Sequence, residues 1–358
     1  MRAAIAGFDG LTRRTGLVLI GALALLALAL PYLLVSSFYI NIASQILFFG
    51  LLAMSIDLLG GYMGSMPLGH AGIMGVAGYT LGYFIATAKQ PIPVAVVVAL
   101  LMTLLVCLVF GQMSVRTSGV FFSMITLAQG MIVWGASIKW YEVTGAENGL
   151  RGIVRPEFAT RYYEFYYFCL AVFAICSVLL YRFVKSPFGL TLQGIRESES
   201  RMRMLGYNVE LHKLLAFCVS GFFAAFAGML YAWYNNFISP SAVGLLPSSE
   251  GVLMVILGGA STLVGPVIGA AIVVFIKIYV STEFKRWPTL LGVIFVVTIL
   301  FARNGVVGTL RPRLARMRQR AAGRGTGPLE AGSEGSGAAG TGESAAAAEQ
   351  AASGRTAG

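Results

Sequence analysis

Few side chains in this sequence of 358 residues are arranged for acid–base, nucleophilic or metal chemistry. The two histidines, His70 and His212, are far apart in sequence, and none of the four cysteines belongs to a C-x-x-C pair. These spacings provide neither a set of metal ligands nor a nucleophile with a base and an orienting residue. We therefore expect no metal site and no enzyme activity, and we expect the cysteines to be buried free thiols.

Asp57 and His70 are the two titratable residues whose position is informative. Asp57 is the only acidic residue between Thr15 and Thr87, a stretch that also lacks Lys and Arg. An ionisable group at membrane depth favours a functional role, although a hydrated position near the membrane surface would explain it equally well. For His70, a hydrogen bond to backbone groups is favoured over proton relay, because no titratable partner is near it in sequence.

The segments that must position these residues are strongly apolar. Hydrophobic residues make up 57% of the chain and charged residues only 11%, whereas a soluble domain has about 25% charged residues. A soluble protein could not cover its surface with so few charges. The composition therefore predicts a multi-pass membrane protein.

The location of the basic residues explains the net charge of +11. Of the 26 Lys and Arg residues, seven lie between Arg303 and Arg324, and five between Lys185 and Lys213. Basic residues concentrated in loops are typical of the cytoplasmic side of membrane proteins. Nucleic-acid binding would need them on a structured soluble surface, so we expect no nucleic-acid partner.

Nine apolar runs are predicted to be membrane-spanning segments: 16–36, 39–60, 64–88, 91–111, 118–138, 162–184, 213–235, 250–280 and 288–302. A helix needs about 20 residues to cross the hydrocarbon core of a bilayer. The first run has that length, which exceeds the apolar part of a signal peptide, and we expect it to be retained as a span.

The run 250–280 decides the predicted topology. At about 1.5 Å per residue it is too long for one upright helix, and Gly258-Gly259 and Gly265-Pro266 favour a break. Two shorter segments would place both the basic N-terminus and the Arg-rich C-terminal segment in the cytoplasm. The sequence thus predicts an all-α polytopic membrane protein with about ten crossings, eight at the least, including broken or re-entrant helices.

The predicted organisation has three parts. Residues 1–15 form a cytoplasmic segment, 16–302 the transmembrane domain, and 303–358 a cytoplasmic tail. The tail is basic at first, and we expect its stretch 311–324 to contact anionic lipid headgroups. Residues 321–358 are mainly Ala, Gly, Ser and Glu, a composition that predicts disorder.

Two motifs interrupt the predicted spans. The segment from Gly60 to Gly72 combines glycines with Pro67 and His70 at membrane depth. Such a stretch predicts an interrupted helix beside a transport pathway, with helix packing alone as the alternative reading. Gly78 and Gly82 in the following helix are expected to serve packing. Asn148-Gly149, after the fifth span, predicts a turn, either an ordinary one or part of an external gate.

The internal loop 185–212 is predicted to be cytoplasmic and to contain a short amphipathic helix pair. Pro187 is expected to start it and Gly206 to end it. The apolar positions with helical spacing are Leu192, Ile195, Met202 and Leu205. Such a pair either rests on the membrane surface or docks into a groove of a partner protein.

At this loop the sequence resembles a known family, the M-type permease subunits of bacterial branched-chain amino acid ABC importers. The matching motifs follow the family order over about residues 45–300. They are Gly61-Tyr62-Met63-Gly64 with Leu68-Gly69-His70-Ala71, Asn148-Gly149-Leu150 with Gly152-Ile153, Ser186-Pro187-Phe188-Gly189, Ile195-Arg196-Glu197, Leu205-Gly206, Lys213-Leu214-Leu215-Ala216-Phe217, Gly258-Gly259 and Gly265-Pro266-Val267-Ile268-Gly269-Ala270.

The resemblance implies a transport subunit of the bacterial inner membrane whose ATP and magnesium are bound by partner subunits. This chain has no G-x-x-x-x-G-K-[ST] motif for ATP. The implied partners are ATP-binding cassette subunits, a second related permease subunit and a periplasmic substrate-binding protein. Residues expected to couple to the ATP-binding subunit are Arg196, Glu197, Glu199, Leu205 and Gly206. Residues expected along the substrate pathway are Asp57, Gly64, Ser65, Gly69, His70, Asn148 and Gly149.

The resemblance implies branched-chain or related amino acids as the substrate. The family usually has Asn where this chain has Asp57, and such departures keep urea or short amides open as alternative substrates. A self-contained ion-coupled transporter, with Asp57 and Lys277 as ion or gating charges, is the other alternative. It is disfavoured because titratable residues at membrane depth are few.

Overall fold

The computed structural model describes residues 37–283 and four isolated residues, Thr289, Gly292, Val293 and Val296. The predicted N-terminal segment 1–15, the first span 16–36 and the tail 303–358 lie outside the described residues, as does most of the span 288–302.

Helices dominate the described part of the chain. The α-helices are α1 (Ser37–Asp57), α2 (His70–Gly82), α3 (Ile92–Ser114), α4 (Gly119–Lys139), α5 (Tyr141–Thr144), α6 (Tyr162–Lys185), α7 (Pro187–Glu197), α8 (Glu199–Met204), α9 (Val209–Asn235), α10 (Leu245–Gly258) and α11 (Val264–Glu283). Two π-helical segments, Leu58–Met63 and Tyr83–Thr87, continue α1 and α2. Short 3-10 helices lie at Ala146–Asn148, Glu157–Ala159 and Pro240–Ala242.

Six helical segments of the described residues are long and apolar enough to cross a membrane. They are Ser37–Met63, Ile92–Ser114, Gly119–Lys139, Tyr162–Lys185, Val209–Asn235 and Pro240–Gly258, and Val264–Tyr279 is a shorter apolar helix. A helical membrane protein is therefore what the chain forms, as the composition predicts. The count of ten crossings and the cytoplasmic position of both termini stay predictions.

The helices divide into an interior group and a peripheral group. In the most apolar part of Ser37–Met63, 78% of the residues are buried, and in that of α9 67% are buried. The corresponding share is 22% in α3, α4 and α6, whose outer faces present large apolar side chains such as Leu101, Phe121 and Ile175. Apolar residues on an outer face suit contact with lipid. The interior contains α1 and α9, and α9 packs against α1, α2 and α3.

The predicted break within 250–280 is confirmed, with a shift in its position. α10 ends at Gly258, and α11 begins at Val264. Gly265-Pro266, expected to be part of the break, instead lies in the first turn of α11. Proline is tolerated there, because the N–H that it lacks would have no partner within the helix. The first segment also begins earlier than predicted, at Leu245.

The predicted helix pair of the loop 185–212 is also confirmed. Pro187 is the first residue of α7, and α8 ends two residues before Gly206, whose φ is +87°. Ser186 and Ser198 cap the two helices, since their Oγ atoms accept hydrogen bonds from backbone N–H groups at 3.4 and 3.3 Å.

A pair of two-residue strands was not expected from the sequence. β1 (Leu150–Arg151) and β2 (Phe237–Ile238) pair in antiparallel fashion, with Leu150 opposite Ile238. The pairing joins the Asn148-Gly149 turn to the C-terminal end of α9.

Candidate functional site

The helix that begins at Ser37 is interrupted in the predicted region. After the π-helical segment Leu58–Met63, Gly64 has a φ of +83°, a conformation that disfavours residues with a Cβ atom. A Cβ atom at Gly64 would also lie 2.6 Å from Cγ of Arg196. Residues 65–69 are not helical, and α2 begins at His70. The interruption is therefore confirmed, while the place of this segment beside a transport pathway stays a prediction.

The non-helical residues are held by α4. Ser123 Oγ donates a hydrogen bond to the carbonyl of Met66 at 2.6 Å, and the N–H of Leu68 donates to Thr126 Oγ1 at 3.1 Å. Backbone polar groups that are not in a helix need such partners inside a membrane. Gly69 packs directly on the carbonyl of Thr126, where no Cβ atom would fit. Ser65, also buried, donates its N–H to Leu59 at 3.0 Å.

His70 contacts a serine side chain, where a backbone partner was expected. Its Nε2 lies 2.6 Å from Ser220 Oγ, and Ser220 donates its hydroxyl hydrogen to the carbonyl of Ser55 at 2.6 Å. Because that hydrogen is already used, Nε2 must carry the hydrogen of the His70–Ser220 bond. The chain of contacts links α2, α9 and α1. It gives His70 a structural role, as the sequence favoured, although through Ser220.

The break between α10 and α11 faces the interruption of the first helix. Asp57 Oδ1 accepts a hydrogen bond from the backbone N–H of Ser261 at 2.7 Å, and Ser261 Oγ donates to the carbonyl of Gly61 at 2.8 Å. Asp57 is 0% exposed, and its Oδ2 has no hydrogen-bond partner among the described residues. The reading of Asp57 as simply hydrated is therefore wrong. Ser261 itself has a φ of +66°, which is uncommon for a residue other than glycine.

Arg196, at the end of α7, joins these two breaks to the loop 185–212. Its Nη1 donates hydrogen bonds to the carbonyl of Gly61 at 2.5 Å and to Ser261 Oγ at 2.6 Å. We call the group Asp57, Gly61, Gly64, Arg196 and Ser261 the junction. It connects two interrupted helices and the helix pair through side-chain and backbone hydrogen bonds.

An ion pair fastens the helix pair to the interior helix α9. Glu199 forms a salt bridge and a hydrogen bond with Lys213, whose side chain is 2% exposed while that of Glu199 is 33% exposed. Three of the four predicted apolar positions of the helix pair are buried, namely Leu192, Ile195 and Met202. The helix pair α7–α8 is therefore held against the rest of the protein by apolar contacts and by the Glu199–Lys213 ion pair.

The far side of the helix pair is an exposed apolar surface. Three apolar residues are exposed there, namely Met204, Leu205 and Tyr207, and Leu205 is 67% exposed. The fourth predicted apolar position, Leu205, thus lies outside the buried face, because α8 ends at Met204. Glu197 is also exposed at the end of α7. Exposed apolar residues beside charges are typical of a docking surface.

Asn148 and Gly149 lie at the opposite end of the molecule from the junction. Gly149, with a φ of +66°, packs against Phe237 and the carbonyl of Ile238, next to the C-terminal end of α9. Lys213 is near the other end of that helix, 22 residues or about 33 Å away. The seven predicted pathway residues therefore do not form one site, and Asn148-Gly149 forms a turn as predicted.

No sequence pattern singles out the residues that hold Asp57, Arg196 and His70. Ser261 contacts both Asp57 and Arg196, and Ser220 contacts His70, yet neither serine was named. Ser261 could have been noticed because it follows Gly258-Gly259 in the predicted break. Glu250 was also missed, although it is an acidic residue in an apolar run, and it pairs with Lys277.

The comparisons with known proteins agree on one class of protein. The family described as branched-chain amino acid transport system, permease component, matches residues 38–302. The chain is 27% identical over 334 residues to the high-affinity branched-chain amino acid transport system permease protein LivM of Escherichia coli K12, covering 86% of this chain and 78% of that protein. It is 27% identical over 224 residues to the tyrosine transport system permease protein of Clostridioides difficile, covering 60% and 70%. It is 28% identical over 146 residues to the autoinducer 2 import system permease protein LsrC of Salmonella typhi, covering 39% and 40%. No solved structure matches significantly.

Proposed function

The chain belongs to the family of permease components of branched-chain amino acid transport systems, and we propose that it moves apolar amino acids inward across the bacterial inner membrane, driven by ATP hydrolysis on partner subunits. A periplasmic binding protein delivers the substrate, and a second related permease subunit completes the pathway. ATP and magnesium are bound by the partner cassettes, and this chain has no catalytic residues of its own.

One observation supports this mechanism most directly, namely the position of Arg196. In this mechanism the ATP-binding subunit contacts the exposed surface of Met204, Leu205 and Tyr207. Arg196, on the same helix pair, donates hydrogen bonds to Gly61 and Ser261. A displacement of the helix pair by the partner therefore pulls directly on both interrupted helices. Glu197, Glu199 and Gly206 belong to the same coupling segment.

The orientation follows from the charges of the loop. The basic loop 185–212 faces the cytoplasm in this proposal, together with both termini, and ten crossings satisfy the excess of cytoplasmic Lys and Arg. Asn148 and Gly149, about 33 Å along α9 from Lys213, are then at the periplasmic side. That side receives the binding protein.

Reconstitution tests the proposal. The chain is purified in complex with the ATP-binding subunits and the second permease subunit of its transport system, placed in liposomes, and supplied with the binding protein of that system. We expect radiolabelled L-leucine to accumulate only with ATP and the binding protein, and urea and acetamide to be transported much less. The purified chain alone should show no ATPase activity. Uptake by the chain alone under a proton gradient would instead establish an ion-coupled transporter.

A further inference from the structure

A cavity of about 330 Å³ opens between α1, α9, α10 and α11. Its wall contains aromatic rings, among them Phe48, Phe49 and Tyr231, and one pair of opposite charges, Glu250 and Lys277. The volume is at the lower end of that of small-molecule sites. The combination of an apolar wall with two opposite charges distinguishes this cavity from the packed junction.

The two charges form an ion pair in which Glu250 is buried, whereas the side chain of Lys277 is 34% exposed. Glu250 is 1% exposed, and both of its carboxylate oxygens accept hydrogen bonds from Lys277 Nζ, at 2.8 and 3.1 Å. The Lys277 ammonium also lies 5.8 Å from the ring centre of Phe49. Charges at membrane depth are unfavourable, and a pair of apolar residues would fill the same space without that cost. Two opposite charges on the wall of a cavity suit a ligand that carries both signs.

The apolar part of the wall suits an uncharged side chain. Phe48 is fully buried and makes an edge-to-face contact with Tyr231, with ring centres 5.8 Å apart. At the rim, Gln45 Nε2 donates to Tyr234 Oη at 2.9 Å, so these polar groups are already paired. The remaining wall offers apolar contact next to the Glu250–Lys277 pair.

The location of the cavity fits a transport pathway. Gln45 and Asp57 are 12 residues apart on α1, which places the cavity rim about 18 Å from the junction along that helix. Tyr234, near the C-terminal end of α9, is on the side of Asn148 and Gly149. Glu250 belongs to α10 and Lys277 to α11, so the pair bridges the two helices that the break at Ser261 separates. A movement of α10 relative to α11 would change the distance between the two charges.

We propose that this cavity binds a zwitterionic α-amino acid with an apolar side chain, with Glu250 accepting hydrogen bonds from its ammonium and Lys277 donating to its carboxylate. On binding, the ammonium of the substrate takes the place of Lys277 next to Glu250, and its carboxylate takes the place of Glu250 next to Lys277. Each side chain thereby keeps a partner of opposite charge. Phe48 and Tyr231 contact the apolar side chain. The inference rests on the proposed function and adds the binding site and the two charge contacts to it.

The first test uses the reconstituted complex with its binding protein and ATP. In Glu250→Gln and in Lys277→Gln we expect L-leucine uptake to fall at least tenfold, while the complex still elutes as an intact assembly. Ser249→Ala is the matched control, because Ser249 is adjacent on α10 and, within the described part of the chain, its Oγ donates to the carbonyl of Leu246 in its own helix. Its uptake should equal that of the wild type.

A second pair of variants separates substrate binding from a structural ion pair. The exchange Glu250→Lys with Lys277→Glu keeps the pair but inverts it, and Glu250→Gln with Lys277→Gln removes both charges. We expect both double variants to assemble and to stay inactive. Active double variants, or single variants within twofold of the wild type, would overturn the inference and leave the proposed function intact.

A third measurement is independent of the binding protein. Millimolar L-leucine should raise the melting temperature of the wild-type complex, whereas L-leucinamide, which lacks the carboxylate, and 4-methylpentanoate, which lacks the ammonium, should not. Equal stabilisation by either analogue, or none by L-leucine, would overturn the site. A wild-type complex that accumulates no amino acid at all would instead refute the proposed function.

Discussion

The carboxylate of Asp57 accepts a hydrogen bond from the backbone nitrogen of Ser261 at 2.7 Å, across 204 residues of sequence. A side-chain oxygen thereby satisfies a backbone donor that the break between α10 and α11 leaves without a helical partner. Ser261 Oγ, in the same break, donates a hydrogen bond to the carbonyl of Gly61, four residues after Asp57. One acid therefore stabilises the meeting point of two interrupted helices.

The contact predicts different results for two substitutions of Asp57. Asp57→Asn keeps a carbonyl oxygen for the N–H of Ser261 and removes a buried ionisable group, so we expect transport within about threefold of the wild type, since the interaction that is lost is worth less than about 1 kcal/mol. Asp57→Leu leaves the N–H without a partner and should lower the free energy of unfolding by about 1–3 kcal/mol. Thermal denaturation and L-leucine uptake measure the two effects. Complete loss of uptake in a well-folded Asp57→Asn variant would favour an ion-coupling role.

Arg196 is expected to matter for transport more than for folding. Its side chain is exposed apart from the contacts with Gly61 and Ser261, so Arg196→Gln removes chiefly those two contacts. Each hydrogen bond to a charged group is worth about 1.5–3 kcal/mol, so we expect uptake to fall about tenfold or more while the melting temperature falls by only a few degrees. Arg182 is another exposed arginine close to the loop. The control variant Arg182→Gln should transport L-leucine normally. Equal uptake by both variants would contradict a role for Arg196 in coupling.

The ion pair of Lys213 and Glu199 should affect assembly of the helix pair. Glu199→Gln leaves the ammonium of Lys213 buried without its counter-charge, which costs about 3–5 kcal/mol in a fully buried pair. Because Glu199 is one-third exposed, we expect a loss nearer 1–2 kcal/mol in the free energy of unfolding. The double variant Glu199→Gln with Lys213→Met should recover most of the loss.

The control for this pair is Glu210, whose contact with Arg203 at 3.6 Å lies between two half-exposed side chains. Glu210→Gln should change the free energy of unfolding by less than about 1 kcal/mol. A loss of the same size in Glu199→Gln and Glu210→Gln would argue against a special role for the buried lysine. Melting temperatures of the purified variants decide between these outcomes.

Two glycines of α4 provide a matched test of helix packing. A Cβ atom at Gly130 would lie 3.0 Å from Cα of Gly69, whereas one at Gly135 would meet nothing within 4 Å. We expect Gly130→Ala to lower the free energy of unfolding by about 1–3 kcal/mol through overpacking. Gly135→Ala should raise it by about 0.5–1 kcal/mol, as alanine favours a helix. Equal melting temperatures would show that α2 and α4 separate easily at Gly69.

The local features of the fold are encoded in local sequence. Pro187 and Gly206 delimit the helix pair, because proline fits the first turn and a glycine adopts the positive φ beyond the end. The length of the run 250–280 and its glycines predict the break between α10 and α11. Gly64 and its neighbours predict the interruption of the first helix in the same way.

The contacts between these segments could not be predicted in the same manner. Asp57 and Ser261 meet only because α1 packs against α10 and α11, and no periodicity relates two positions 204 residues apart. Glu250 and Lys277 are separated by 27 residues and a break. A charged residue within an apolar run is expected to need a partner. Only the packing of the helices shows which residue that partner is.

The left-handed backbone of Ser261 has a thermodynamic consequence for the whole junction. A non-glycine residue in that region is disfavoured by about 1 kcal/mol or more, and it persists because Asp57 and Arg196 bind it there. Binding linkage works in both directions. If moving α7 away from Ser261 destabilises this backbone, then a substrate that moves α10 away from α11 must weaken the binding of α7 to the junction. The two effects must have the same free energy. An empty and an occupied transporter would thus present the motor with different affinities for its docking surface.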